Sequence, residues 1–547
     1  MSSNPRTEPL QECGHHEREV EWQLASTDLS SVRRWLEDHR SIDGLVLEAR
    51  SPLQIFDTYL DTEDWRIHRA GYALRLRSED GRSEATLKSL RSRSTEMADR
   101  RELSEALETR ESDSIARSGG PVGRRVQAVS GAHSLQPLFE VRTSRQRYAV
   151  HAANEPKPLG EIALDETVIC RPHGQPQTSM QRVEVEALTD AHEPLQALVK
   201  ALRSGCGLES AADNKYSQGL KSVGLAPAPP PELSPTEVNA SMPIHEVALA
   251  NLRRYVSLWD LHEPAARLGD DPEELHDLRV AGRRLDGILR QFGKYLPATL
   301  VRIRPTLKKV LRALGETRDL DVALLELGAF NRALSEADQA NLEPLREYLH
   351  SQRARARTRM LSLLDSGEIQ KKFDVLRLGL TLPSDAAPEP GAAAVEVVPE
   401  LIRRRYKKVR KGADALAADS AMESYHAVRG NVKKLRYLLE AVAVIFGKPA
   451  NAMVRSLRRW QERLGTQQDA DVADRRLRVL AAAPPKCLPP ETLFVMGRLA
   501  AHQAERAAKA RKQHPRAYRK VRARWKALKG RLADGQARAV ELPAAGP

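Results

Sequence analysis

Upstream of Gly224, apolar and polar residues exchange places at every second position. REVEWQL, YALRLR, EATLKSL, GEIALDETVI and RVEVEAL share this period, which is that of half-buried strands because successive side chains point to opposite faces. Downstream the apolar period lengthens to that of a helix, and Ala, Leu and Arg become abundant. The change falls at GLAPAPPPELSP, Gly224 to Pro235, where prolines fix φ and remove backbone donors, so the stretch reads as a stiff linker. A second breaker, PSDAAPEPGAAAVEVVP from Pro383 to Pro399, divides the helical part. The chain therefore reads as multidomain. An N-terminal antiparallel β domain with flanking helices (α+β) is expected at 15–222, a Pro-rich linker at 223–236, and an all-α part at 237–382 and 400–535 on either side of a linker at 383–399.

The two sides of the second breaker contain the same pattern. His276, Arg279, Arg283, Arg284 and Leu285 recur as His426, Arg429, Lys433, Lys434 and Leu435, an offset of 150. Leu314, Gly315, Asp319, Asp321 and Val322 recur at the same offset as Leu464, Gly465, Asp469, Asp471 and Val472. Two copies of one helical unit are implied. With His276 at 0° and about 100° per residue, Arg279, Arg283 and Arg290 fall between about −60° and −20°, while Leu278, Leu285, Ile288, Leu289 and Phe292 lie opposite. In the second copy Arg429, Lys433 and Arg436 align with His426, and Val428, Leu435, Leu438 and Leu439 face away. A solvated face would mix Glu with Lys, because like charges at i,i+4 repel by a few tenths of a kcal/mol. Repulsion tolerated twice, at matching positions, points to an anion that relieves it.

Charge supports this direction. Lys and Arg number 87 against 73 Asp and Glu, a net +14 over 547 residues, which favours a polyanionic partner. Aromatic residues are only 4%, so stacking platforms for bases are scarce and phosphate itself is favoured over nucleic acid. Cys13, Cys170, Cys206 and Cys487 form no CxxC pair, which argues against a disulfide framework or structural zinc and fits a reducing cytoplasm. Neither a signal-peptide core nor a run of 18 apolar residues occurs, so no membrane span is expected. Cys13, His15 and His16 read as part of a flexible terminus rather than a metal tail.

The strands carry charges on one face. Alternation sets Glu19, Glu21 and Gln23 against Val20, Trp22 and Leu24, and Arg75 and Arg77 against Leu74 and Leu76. Thr86 and Lys88, Arg100 and Glu102, Arg145 and Arg147, Asp165, and Glu184 and Glu186 continue the series. Water on the polar face of a one-sided sheet is the common fate of such alternation. Paired acids and paired bases on one face also supply both halves of a metal–phosphate site, since carboxylates hold Mg²⁺ or Mn²⁺ and cations hold phosphate oxygens.

HDLRVAGRRLDGILRQF followed by LGETRDLDV, and HAVRGNVKKLRYLLEAV followed by LGTQQDADV, resemble the two halves of a CHAD domain, a family of helical domains with recurring histidines, over roughly residues 240–530. The resemblance implies two four-helix-type repeats and polyphosphate bound in a groove lined by basic helices. His276, Arg279, Arg283, His426, Arg429, Lys433 and Arg436 would line it, with Arg290 added by its place on the helix face. Gln468 stands where the first copy has Arg318, a departure expected to weaken one end of the groove.

The strand series resembles the CYTH family of triphosphate tunnel metalloenzymes, over roughly residues 15–222. Glu19-Val20-Glu21-Trp22-Gln23 matches the family's ExExK signature except at its last place. Tyr59-Leu60-Asp61-Thr62, the run Gly71 to Arg77, Thr86-Leu87-Lys88, Arg145 with Arg147, Asp165, Glu184 with Glu186, and Lys215-Tyr216 follow in the family's order. The resemblance implies an antiparallel barrel of about eight strands with a charged inner lining, and hydrolysis of triphosphate with Mg²⁺ or Mn²⁺. CYTH joined to CHAD is an arrangement found in bacterial inorganic triphosphatases.

On this reading Glu19, Glu21, Glu184 and Glu186 hold the metal, Asp165 and Glu102 assist or position water, and Gln23, Arg75, Arg77, Lys88, Arg100, Arg145, Arg147 and Lys215 contact the phosphates. An amide at Gln23 lacks the charge that makes phosphate contacts strong, so Gln23→Lys is expected to raise the activity of a weakened enzyme. The alternative is a non-enzymatic polyphosphate-binding or granule-associated protein with a degenerate tunnel. A third reading, nucleic-acid binding through the tail AERAAKARKQHPRAYRKVRARWKALKGR, is disfavoured by the shortage of aromatics.

Overall fold

The computed structural model describes residues 17–90, 98–153, 155–189, 192–227, 237–381, 392–417 and 419–540, without the side chains of 17–19, 98–100 and 534–540. Cys13, His15 and His16, and the breaker residues 228–236 and 382–391, lie outside the described residues. Two compact units emerge: the strands with their helices and the segment His262–Asp271 form one, and the other helices form the second.

The alternating segments become strands β1 (Glu17–Ser26), β2 (Ser41–Ile42), β3 (Leu45–Thr62), β4 (Tyr72–Glu79), β5 (Arg82–Ser89), β6 (Ala98–Leu107), β7 (Leu135–Ala152), β8 (Gly160–Cys170), β9 (Pro176–Ala187) and β10 (Glu209–Ser210). They make one ten-stranded antiparallel sheet in the order β10-β1-β6-β5-β4-β3-β7-β8-β9, with β2 on β3. Two of the ten are two-residue strands, which accounts for the excess over the eight expected. Strand β1 is shared: Glu17–Glu21 pairs with β6, and Glu21–Ser26 pairs with β9.

Helices cover the apolar face of this sheet. Val20, Trp22, Leu24, Val183 and Val185 pack with Leu29, Val32 and Leu36 of the helix Leu29–Asp38 and with Leu195, Leu198 and Leu202 of His192–Cys206. Asp28 starts the first of these helices by accepting the Ser30 N–H at 2.9 Å, the usual N-cap device. Leu74, Leu76, Leu87 and Leu103 pack in the same way with Ile115, Val122, Val126 and Val129. The charged residues are left on the opposite face, one end of which is filled by Tyr59, Phe139 and Tyr216. Tyr216 belongs to the helix Lys215–Val223, so this aromatic contact also fixes Lys215.

The helical unit contains Pro272–Phe292, Arg304–Asn331, Glu336–Leu364, Gly367–Thr381, Ala394–Asp414, Met422–Ala482, Pro490–Arg511 and His514–Val540. Residues 394–399 of the expected second linker are therefore helical, with Pro399 inside the helix and buried. Pro399 is the sixth residue of that helix, past the first-turn N–H groups that lack partners, so it removes one hydrogen bond of the helix. The two motif-bearing stretches connect differently. Pro272–Phe292 and Arg304–Asn331 are separated by a 3-10 turn and a short helix, Gly293–Tyr295 and Ala298–Val301, whereas Met422–Ala482 is interrupted once, at Gly447 (φ 66°, ψ −146°). This last helix also contains an 18-residue window of mean hydropathy 1.2, more than half buried inside the unit, as a core helix would have.

The aromatic contact gives a stability test. A Cβ at Gly219 would stand 2.1 Å from the Phe139 ring, and overpacking of this kind costs about 1–3 kcal/mol. Gly219→Ala should lower the denaturation midpoint accordingly and disturb Lys215; an unchanged midpoint would show that the helix is free to shift.

Candidate phosphate-binding sites

The polar face of the sheet is not solvated. Relative exposure is 0% for Asp165, 3% for Asp57, 3% for Arg182, 4% for Glu21 and 8% for Glu184, which excludes water as the main partner of these groups. Buried charges must find one another or a ligand, and here they divide into two groups.

One group is tightly paired. Arg145 binds Asp165 through two hydrogen bonds of 2.7 Å and Glu184 through one of 2.6 Å, and Lys215 reaches Asp165 at 2.6 Å and Glu184 at 3.0 Å. Arg77 grips Asp57 at 2.8 and 2.9 Å. After the burial penalty that opposes ionisation, Lys215 and Arg145 hold the Glu184 carboxyl well below the usual carboxylate range. Both oxygens of Asp165 thus accept from cations in the ligand-free fold, which holds Arg145 and Lys215 in place. Its position between two long cations could not be read from a lone Asp in a strand.

The second group is under-compensated. Glu21 and Glu186 stand opposite each other in register on β1 and β9. Burial first, then Glu21 and Glu102, push the Glu186 carboxyl up to about 7, the response of carboxylates crowded without enough positive charge. Lys88 lies 3.2 Å from Glu21 and 3.7 Å from Glu102, and Arg75 lies 3.4 Å from Glu102. Among the described residues no three His, Cys, Asp or Glu side chains stand in a preformed metal cluster. A divalent cation still fits the chemistry of Glu21 with Glu186, because hard cations take carboxylate oxygens and these two repel without one.

The other expected residues fall as follows. Gln23 donates its amide to Glu21 at 2.8 Å and accepts from Arg182 at 3.2 Å. Arg147 lies 3.8 Å from Glu161. The side chains of Glu19 and Arg100 lie outside the described residues, although their backbones pair with each other across β1 and β6. Asp61 is turned from the charged face into a structural role, accepting from the backbone of Thr62, Ile67 and His68 at 2.7 to 2.8 Å. Asp57 and Arg182 were missed, although each lies two residues from a residue already singled out, Tyr59 and Glu184, and strand alternation alone places them on the same face.

In the helical unit the basic residues 150 positions apart converge. Lys433 is pushed down to about 7 by burial and then by Arg283, Arg429, Arg279 and Arg436. Five cations from two motif-bearing helices therefore crowd together, and Arg283 Nε and Arg429 Nε are buried without a hydrogen-bond partner among the described residues. Compensation is partial: Arg436 binds Gln461 at 2.9 Å and Glu440 at 2.8 Å. Arg290 leaves this group; its charged neighbours are Asp286, Arg304, Arg405 and Lys434. His276 and His426 are both lowered, by burial first and then by Arg318 and Arg429 respectively.

The recurring Gly and Asp residues have separate tasks. A Cβ at Gly315 would stand 3.2 Å from Arg279 Nη2, and one at Gly465 would stand 3.3 Å from Arg429 Nη2, so each glycine makes room for a guanidinium. The second Asp of each motif is a strut, buried Asp321 to Arg353 at 2.6 Å and half-buried Asp471 to Arg511 at 3.3 Å. The first is nearer the cations, with Asp469 4.0 Å from Arg429. Gln468 accepts from Arg429 at 2.6 Å, whereas Arg318 turns to the Pro272 carbonyl at 2.9 Å and to Glu273 at 2.8 Å. The Arg-to-Gln departure thus removes a helix-start contact and steadies Arg429, so the expected weakening of the groove does not follow from it.

Comparison with known families agrees with this geometry. Residues 32–216 match the CYTH domain and residues 250–478 match the CHAD domain. The chain carries an N-terminal CYTH domain and a C-terminal CHAD domain. CYTH proteins form a family of triphosphate tunnel enzymes that includes triphosphatases and generally uses divalent metal. Similar solved structures include the CHAD domain from the plant Ricinus communis (25% identity, TM-score 0.44, 53% of this chain and 96% of that one). PptA from Streptomyces chartreusis is 20% identical, with a TM-score of 0.41 over 51% of this chain and 99% of that one. HpAC1 from Hippeastrum, a protein with a dominant triphosphatase activity, is 17% identical, with a TM-score of 0.30 over 38% of this chain and 97% of that one. No curated protein matches the chain.

Lys433 makes the helical site testable by pH. An anion seated among Arg279, Arg283, Arg429 and Arg436 neutralises the charges that lower Lys433, so its pKa rises on binding. Below about pH 7 Lys433 is protonated in both states, and above it binding takes up a proton. Polyphosphate affinity should therefore hold up to about pH 7 and fall above it, with a binding heat that varies with the buffer's ionisation enthalpy. Lys433→Arg should flatten both responses; a profile identical in wild type and Lys433→Arg would remove Lys433 from the contact.

Proposed function

We propose that the CYTH domain hydrolyses inorganic triphosphate or a related short polyphosphate with Mg²⁺ or Mn²⁺, while the CHAD domain binds long polyphosphate. The observation that carries the first half is the division of the buried face into paired and under-compensated groups. Arg75, Arg77, Lys88, Arg145 and Lys215 are held in place by carboxylates, oriented before any substrate arrives, and Lys88 beside Glu21 only partly offsets the crowding of Glu21, Glu102 and Glu186. The pairing of β1 with both β6 and β9 supports a tunnel closed around this face.

Triphosphate would supply negative charge to the cations, and Glu21 with Glu186 would hold a divalent ion, which when bound would withdraw charge from phosphate oxygens. Water attacks a terminal phosphorus, a new P–O bond forms, and the bond from that phosphorus to the bridging oxygen breaks with its electron pair leaving on diphosphate. The proton released by the water passes to a carboxylate, for which Glu102 is placed beside Lys88 and Arg75. Positioning and charge neutralisation, rather than a covalent intermediate, carry the rate.

For the CHAD domain the carrying observation is the five-cation group formed from both motif helices. The motif helices act as two copies of one unit, and a long chain touching both gains effective concentration that tripolyphosphate does not.

Two measurements test these halves separately. Purified full-length protein should release phosphate from tripolyphosphate only with Mg²⁺ or Mn²⁺, and Glu21→Gln with Glu186→Gln should remove that activity; no release with either metal, alongside intact polyphosphate binding, would favour the binding-only alternative. Arg283→Glu with Lys433→Glu should abolish long-chain polyphosphate binding by calorimetry yet leave the chain folded, since the change relieves repulsion among the five cations. Unchanged affinity in that folded variant would make these helices ordinary surface.

A further inference from the structure

Position 23 is the uncharged place in the polar row of β1. Its cross-strand neighbour in register is Glu184, already bound by Arg145 and Lys215. The Gln23 amide nitrogen is given to Glu21 and its carbonyl oxygen is turned to Arg182 Nη1. Arg182 lies two residues before Glu184 on β9, hence on the same face, and is 3% exposed. Its other contacts are the Asp213 carbonyl at 2.5 Å and Gln218 Oε1 at 2.7 Å. All three of these acceptors are neutral. A buried guanidinium bonded only to neutral oxygens is fixed in direction, and its charge is offset only through space, by Glu184, Glu21 and Asp165, unlike Arg77 and Arg145, whose charges are matched by bidentate carboxylates.

We propose that Arg182 supplies from β9 the positive charge that β1 lacks at position 23, and that Gln23 and Arg182 together hold one phosphate oxygen of the substrate. The division of labour follows from the contacts: the Gln23 carbonyl and the neutral oxygens of Asp213 and Gln218 aim the guanidinium, and the guanidinium provides the charge-assisted bond. The residue at 23 is then half of a pair rather than a defect. Gln23→Lys alone consequently gives no gain, because a second cation beside Arg182 in a buried place is repelled, which revises the expectation drawn from β1 alone.

This inference rests on the hydrolytic reading, and a charge exchange in the full-length protein separates the two. Arg182→Gln should raise KM for tripolyphosphate roughly ten- to a hundredfold, the loss expected for a hydrogen bond to a charged group, with kcat changed less. Gln23→Lys should not improve on wild type. Gln23→Lys combined with Arg182→Gln should recover most of the lost KM, since the charge is restored from the other strand. If the double variant is folded, judged by Tm, and no better than Arg182→Gln, then Arg182 merely pins Asp213 and the helix Lys215–Val223 to the sheet and the proposal is wrong. A wild-type chain that releases no phosphate sinks the hydrolytic reading instead; the same loss and rescue is then sought in tripolyphosphate affinity by calorimetry, and its absence there overturns the charge exchange as well.

Discussion

The sheet unit depends on burying charges of both signs on a face that alternation would ordinarily give to water. Removing a carboxylate or guanidinium from water costs several kcal/mol, repaid only where geometry and hydrogen bonding are good. Arg145 with Asp165 and Glu184, Lys215 with the same two acids, and Arg77 with Asp57 meet that condition. Such pairs contribute little net stability over apolar packing, which the opposite face already supplies through the helices Leu29–Asp38 and His192–Cys206. What they provide is fixed direction: cations that would sweep widely in water are held where a phosphate chain can meet them.

The helical unit solves the opposite problem. There the charges are of one sign, and burial, followed by Arg283, Arg429, Arg279 and Arg436, depresses Lys433 instead of stabilising it. The unit tolerates this because apolar stripes on the same helices, with Leu278, Leu285, Val428 and Leu435 fully or almost fully buried, outweigh the repulsion. Gly315 and Gly465 then let Arg279 and Arg429 lie against the neighbouring helix. A substituted methyl at either position would press on a guanidinium rather than on apolar core, so these glycines serve the charge arrangement more than the packing.

How far the sequence could be read follows from which relations are local. Period two placed Glu21, Arg75, Lys88, Arg145 and Glu184 on charged faces, and the offset of 150 paired the motif residues of the helical unit, because face and periodicity are properties of a segment. Pairing between segments is not. That Asp165 accepts from both Arg145 and Lys215, or that Gln23 answers Arg182, depends on β7, β8, β9 and the helix Lys215–Val223 meeting in one register. Arg290 shows the converse error: it shares a helical face with Arg283 but lies two turns further along, where Arg405 and Lys434 are its neighbours. Helical angle gives direction without depth along the axis, and rise per residue then separates what angle unites.

The two domains therefore differ in what a ligand must bring. In the sheet Arg77, Arg145 and Lys215 already have carboxylate partners, so an incoming anion competes with Asp165, Glu184 and Asp57 unless it arrives with positive charge that the released or crowded acids can use. A metal-bound triphosphate satisfies both requirements together, and a bare anion satisfies only one. In the helical unit most of the clustered cations lack such partners, and an anion alone relieves the repulsion. On the proposed function, metal dependence would arise from the carboxylates of the buried face and dependence on chain length from cations drawn from two helices, each following from the charges left unmatched in the ligand-free fold.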